Sequence, residues 1–144
     1  MTAYSNETIT EKTEIWHGKQ KILSRRLAEL SKVKVKYDSI LDGNGPSIII
    51  NNNFVTKAYI EIKARGGRLR LITEITRANL SYCKKIIKCV ELRHLDRVKG
   101  NMGIIDGISY GAAAKSEEKQ FPTEYIYSTA VSYTHLTLPT ICSV

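Results

Sequence analysis

The spacing of apolar positions changes along the chain, and each change marks a predicted element. Ile15, Trp16, Ile22, Leu23, Leu27 and Leu30 recur at helical spacing, with Lys19, Lys21, Arg25 and Arg26 on the opposite face. That pattern predicts a helix from about Glu11 to Ser31. Val33, Val35 and Tyr37 then alternate with Lys32, Lys34 and Lys36, which predicts a half-buried strand from Val33 to Ile40. Asp42 to Pro46 has turn composition, and Ser47 to Ile50 is too short to assign. Asn51, Asn52 and Asn53 are candidate N-caps for a helix from Phe54 to Arg65, which Gly66-Gly67 closes. Arg68 to Ile75 predicts a second strand with Leu69, Leu71 and Thr73 inward.

Thr76 is a candidate cap for a third helix reaching about Val90, with Leu80, Cys83, Ile86, Ile87 and Val90 as its apolar stripe. Lys84, Lys85 and Lys88 point out from it. Glu91 to Leu95 is a short third strand, and Gly100 to Asp106 and Ile108 to Ala113 form a hairpin joined at Gly107. Residues 115–120 make a charged loop, and Glu124 to Thr129 begins a further helix.

Strands separated by helices of about a dozen residues imply right-handed crossovers. The fold class expected is α/β, with a single mixed, largely parallel sheet flanked by helices. A chain of 144 residues holds one domain. We place it at residues 11–127, after a disordered polar start at 1–10. Residues 128–144 contain no Lys, Arg, Asp or Glu, and Val131 to Thr140 resembles translated sequencing-adapter DNA. They are expected to be an artefactual tail, the alternative being a genuine Ser/Thr-rich one.

Composition narrows the function classes. Hydrophobic residues at 42% and charged residues at 25% are ordinary for a globular domain. No stretch is long and apolar enough to span a membrane, and residues 1–12 lack a signal peptide's apolar core, so a cytoplasmic location is expected. Lys and Arg number 22 against 14 Asp and Glu, a net charge of +8 that permits an anionic partner without naming one.

Cys83, Cys89 and Cys142 have neither the even count of a disulfide framework nor zinc-site spacing. No metal and no cofactor are expected. There is no G-x-S-x-G elbow, and Gly43-x-Gly45 lacks the rest of a phosphate loop. The basic residues spread over the first helix, the first strand and the third helix without interleaved aromatics, so nucleic acid is an unlikely partner on this reading.

Several segments together resemble the N-terminal sensory region of archaeal two-component sensor histidine kinases. They are Ile15 to Lys19, Ala64 to Thr76, Glu91 to Asp96, Gly100 to Asp106 and Gln120 to Tyr127. That region looks in turn like half of a phospholipase D-like domain, whose hairpin carries His-x-Lys-x4-Asp. The matching positions here are Lys99, Asn101 and Asp106, and only the Asp is kept. The histidine that would form a covalent phosphoryl intermediate is absent, so no enzymatic activity is expected of this chain.

The resemblance implies the sensor piece of a cytosolic kinase in a phosphorelay. It implies a kinase core in cis, an unknown small-molecule or protein signal, and homodimerisation. Candidate ligand-binding positions are those at predicted strand ends: Asp38, Glu74, Thr76, His94 and Asp106. The alternative is a stand-alone basic regulator that binds nucleic acid or another acidic partner.

Overall fold

The structure, a computed structural model, describes residues 11–114 and 122–130. Seven strands form one sheet: β1 (Thr13–His17), β2 (Lys36–Leu41), β3 (Arg68–Thr73), β4 (Glu91–His94), β5 (Gly100–Ile105), β6 (Ser109–Ala114) and β7 (Glu124–Ser128). Four helices connect them: α1 (Lys19–Ser31), α2 (Gly45–Asn51), α3 (Asn53–Ala64) and α4 (Leu80–Ile86). The strand order is β1-β7-β6-β5-β2-β3-β4. β2, β3 and β4 run parallel, and every other neighbouring pair is antiparallel.

An α/β fold with a single mixed sheet flanked by helices is the architecture expected. The parallel share is smaller than the alternation of helices and strands suggested. Two segments read as helical, at 13–17 and 124–128, are strands that pair with each other. Trp16 faces Tyr125 across this pair and stacks on both Tyr125 and Tyr127, with ring centroids 5.5 and 4.8 Å apart. These contacts override the local helical spacing. Gly18, at φ 90°, makes the sharp bend from β1 into α1 that other residues resist.

The core lies between the helices and one face of the sheet. Leu30 and Val33 meet Ile49, Val55, Tyr59, Ile62 and Ile86 over Tyr37, Leu41, Leu69 and Leu71. Asn52 caps α3, its side-chain oxygen accepting from the N–H groups of Phe54 and Val55 at 3.0 and 3.2 Å. Ser47–Ile50, left unassigned above, lies in α2, with Pro46 in its first turn. Thr76 does not cap α4: Asn79 holds the cap position, and the two residues bond each other's backbone N–H. The β5–β6 hairpin turns at Asp106-Gly107, both at positive φ. Ser128 is the last residue of β7 and is fully buried beside Thr13, while residues 131–144 and the loop at 115–120 lie outside the described residues.

Candidate nucleic-acid interface

Three of the five candidate ligand positions gather at one end of the sheet, and two do not. Glu74, Thr76 and His94 follow or close β3 and β4 at their C-terminal ends, as parallel strands require. His94 Nδ1 accepts the Ile75 N–H at 2.9 Å, which leaves Nε2 as the donor to Asp96 Oδ1 at 2.7 Å. Asp42 closes the same end from β2. It is fully buried, accepts from the Asn44 N–H and Asn101 Nδ2, and donates its own N–H to Asn101 Oδ1.

Asp38 is not at a strand end. It is the third residue of β2, 2% exposed, and Arg70 grips it bidentately with Lys36 nearby. Asp106 sits at the far end of β5. Its carboxylate accepts the N–H groups of Lys34, Val35 and Lys36 at 2.8 to 2.9 Å and so anchors the entry of β2. Burial alone would raise its pKa, but the three N–H donors outweigh that and hold the carboxyl below its usual range.

The remnant of the hairpin motif is likewise divided. Lys99 is exposed beside the start of β5, and Asn101 is spent on Asp42 and the Ala114 carbonyl. Asp106 lies beyond the other end of the six-residue strand, about 17 Å away at the usual strand rise. Among the described residues no group of three or more His, Cys, Asp or Glu could hold a metal ion.

The strongest chemical feature is an edge. Residues 77–99 contain seven Lys and Arg (Arg77, Lys84, Lys85, Lys88, Arg93, Arg97 and Lys99) against two acids, Glu91 and Asp96. The difference, seven minus two, is +5 of the chain's +8. All seven are exposed. They lie on the loop before α4, on α4 and the turn after it, on β4, and on the loop leading to β5. β4 is the last strand of the sheet, so these elements form one rim.

Folding places the charge there for a simple reason. Cys83, Ile86 and Val90 recur at helical spacing and bury, which turns Lys84, Lys85 and Lys88 out. Both acids of the rim are already engaged. Glu91 pairs bidentately with Arg68 from β3, which holds its carboxyl below the usual range, and Asp96 pairs with His94. The seven cations of the rim have no acidic partner within ion-pair distance among the described residues. Of the basic segments read in the sequence, the stretch 77–99 lies on this rim, and those of α1 and β2 lie elsewhere.

No protein-family model and no curated protein matches the chain. Solved structures do. One is TrmBL2, an archaeal chromatin protein whose structure shows a novel mode of DNA binding: TM-score 0.60, 19% identity, 98% of this chain covered. The match spans 55% of that chain, so this chain corresponds to about half of it. Another is NucT from Helicobacter pylori, with TM-score 0.68 and 11% identity over 92% of this chain and 94% of that one. This likeness bears out the expected α/β fold with a single mixed sheet flanked by helices.

The functional expectation is corrected by the same findings. The two solved structures named are a DNA-binding chromatin protein and NucT, and neither is a histidine kinase sensor. The reading as a two-component sensor, with a kinase core in cis and an unknown signal as partner, is set aside, and so is the reading of nucleic acid as an unlikely partner. Among the described residues no helix is long and apolar enough to cross a membrane.

Proposed function

We propose that this domain binds nucleic acid through its phosphate backbone, along the rim formed by α4 and β4, and does not cleave it. The observation that carries this reading is the segregation of +5 into residues 77–99, on exposed side chains. Lysines and arginines without acidic partners attract phosphates and release their condensed counterions. The fold shared with an archaeal chromatin protein supports the same reading. The rim carries a single tyrosine, the half-buried Tyr82 on α4, so its contacts position the duplex rather than read its bases. A cytoplasmic site of action, where nucleic acid is accessible, is part of the proposal.

Absence of cleavage follows from the residues at the motif positions. Lys99 cannot form the phosphoryl adduct that a histidine would, and Asn101 is held by Asp42. His94 is tied at both ring nitrogens.

The test is fluorescence anisotropy with a labelled duplex across a salt series. Affinity should fall linearly with salt on a double-logarithmic plot, with a slope of roughly 0.9 per phosphate contacted. The triple change Lys84→Gln, Lys85→Gln, Lys88→Gln should weaken binding to all sequences alike and lower that slope. Binding that ignores salt, or a triple variant that binds as the parent does, would overturn the proposal. Hydrolysis of an activated phosphodiester, lost on His94→Ala, would overturn its second half.

A further inference from the structure

On the side of the sheet away from the rim, one arginine is placed unlike any other. Ile22, Arg26 and Leu30 follow one another at intervals of four on α1, and both flanking residues are fully buried. Arg26 therefore turns inward, toward the sheet, rather than out with Arg25. Its Nη2 donates to Tyr37 Oη at 3.2 Å, and its guanidinium lies 5.4 Å from the centre of the Tyr125 ring. No carboxylate reaches it within ion-pair distance among the described residues. Glu29, nearly a turn further on, pairs with Lys32 at 3.0 Å.

The contrast with Arg70 is direct. That residue is also half-buried, and it has Asp38 in a bidentate grip. Arg26 has five N–H donors and only the phenols of Tyr37 and Tyr125 beside them. Neighbouring phenols cannot supply the missing negative charge near neutral pH. Burial pushes Tyr125 up to about 12 and Tyr59 well above its ordinary value. A half-buried cation left so is costly unless an anion completes it.

A recess begins at this guanidinium. Arg26, Tyr37 and Tyr125 line it together with Leu41, Ile48, Met102 and, at the sheet end, Asn101. The recess has a cavity volume of about 40 Å³. No acidic side chain lines it among the described residues, and Arg26 is its one cation. A guanidinium at one end and apolar walls at Leu41, Ile48 and Met102 define the guest.

We propose that this recess binds a small organic monocarboxylate, its head paired with Arg26 and its apolar body against Leu41, Ile48 and Met102. A guanidinium fork matches a planar carboxylate with two parallel bonds. One cation favours a monoanion over a phosphate dianion. The site is independent of the basic rim, and stands or falls apart from it.

Trp16, the chain's one tryptophan, stacks on Tyr125 and so reports on the recess. Titration with phenylacetate should change its fluorescence saturably, and the neutral isostere phenylacetamide should bind at least about tenfold more weakly. Arg26→Gln should weaken phenylacetate by a similar factor. Arg26→Lys, which keeps the charge and loses the fork, should fall between. Ala113→Leu narrows the recess without touching Arg26 and should also weaken binding, which keeps the test valid if Arg26→Gln fails to fold. Equal binding of acid and amide, affinity indifferent to both Arg26→Lys and Ala113→Leu, or no saturable response up to about 10 mM would overturn the proposal.

Discussion

The parallel and antiparallel parts of the sheet solve the problem of burial differently. Around β2, β3 and β4 the interior is mostly aliphatic: Val33, Leu41, Ile49, Ile62, Leu71 and Ile86 pack about Tyr59 with little or no exposure. Around β1, β5, β6 and β7 the layer under α1 is aromatic and leaves open space, with Trp16, Tyr125 and Tyr127, joined by Tyr37 from β2, set about Arg26. Charge follows the same division. On the parallel side cations are outside on the rim or locked to acids, and on the antiparallel side one cation is turned in. Aliphatic side chains fill space and define the fold, whereas rigid rings around a cation leave a shaped vacancy that a guest can complete. The molecule thus has a stabilising half with a charged outer edge and a softer half with a recess.

Substitutions can break or sharpen this contrast. The largest effect should come from Ile62→Ala, which empties a fully buried aliphatic site and should cost about 2–5 kcal/mol, read from the urea midpoint. Gly103→Ala should follow, because a Cβ there would meet the Tyr37 ring at 2.6 Å, and overpacking costs about 1–3 kcal/mol. If Gly103→Ala proved neutral, the antiparallel layer would be softer still than drawn here.

Asp106→Asn comes next. Asp106 has a lowered folded pKa, so its contribution is fully present above its ordinary value of 3.8 and is lost as pH falls through the lowered one. The variant should lose about 1–2 kcal/mol near neutral pH and show a shallower loss of stability in acid, measured by thermal melts across pH. The smallest effect should come from Arg68→Ala, whose pair with Glu91 is exposed, and its melting temperature should stay within experimental scatter of the parent's. A large loss there would mean that the rim carries stability as well as charge.

Much of the aliphatic half was legible in the sequence. The alternation of Leu69, Leu71 and Thr73 gave the inward face of β3, and Cys83, Ile86 and Val90 gave the inward stripe around α4. The hairpin at Gly107 was readable from its turn residues. The aromatic half was not. β1 and β7 stabilise each other across more than a hundred residues, and a local window sees only that Ile15 and Trp16 continue the spacing of Ile22. A weak signal existed in Gly18, which interrupts that spacing, and in the β-favouring run Tyr125-Ile126-Tyr127.

Of the candidate site, the basic stretch 77–99 was visible and its place at the sheet edge was not, because strand order decides which strand lies last. Arg26 was read as solvated like Arg25, since helical spacing separates them by only 100° and the wider aromatic layer that receives Arg26 is built from distant strands.

The pairing of β1 with β7 also fixes how this domain can be carried. The Lys12 N–H donates to Thr129 Oγ1 and the Thr129 N–H to the Lys12 carbonyl, each at 3.0 Å, so the chain enters and leaves the described fold side by side. Lys12 precedes the edge strand β1 and Thr129 follows its neighbour β7, six and five strand spacings from β4, or about 29 and 24 Å. Any segment joined before Lys12 or after Thr129 is tethered at that one corner, like a flag at its pole. The basic rim is the opposite edge, on the far side of the sheet from that corner.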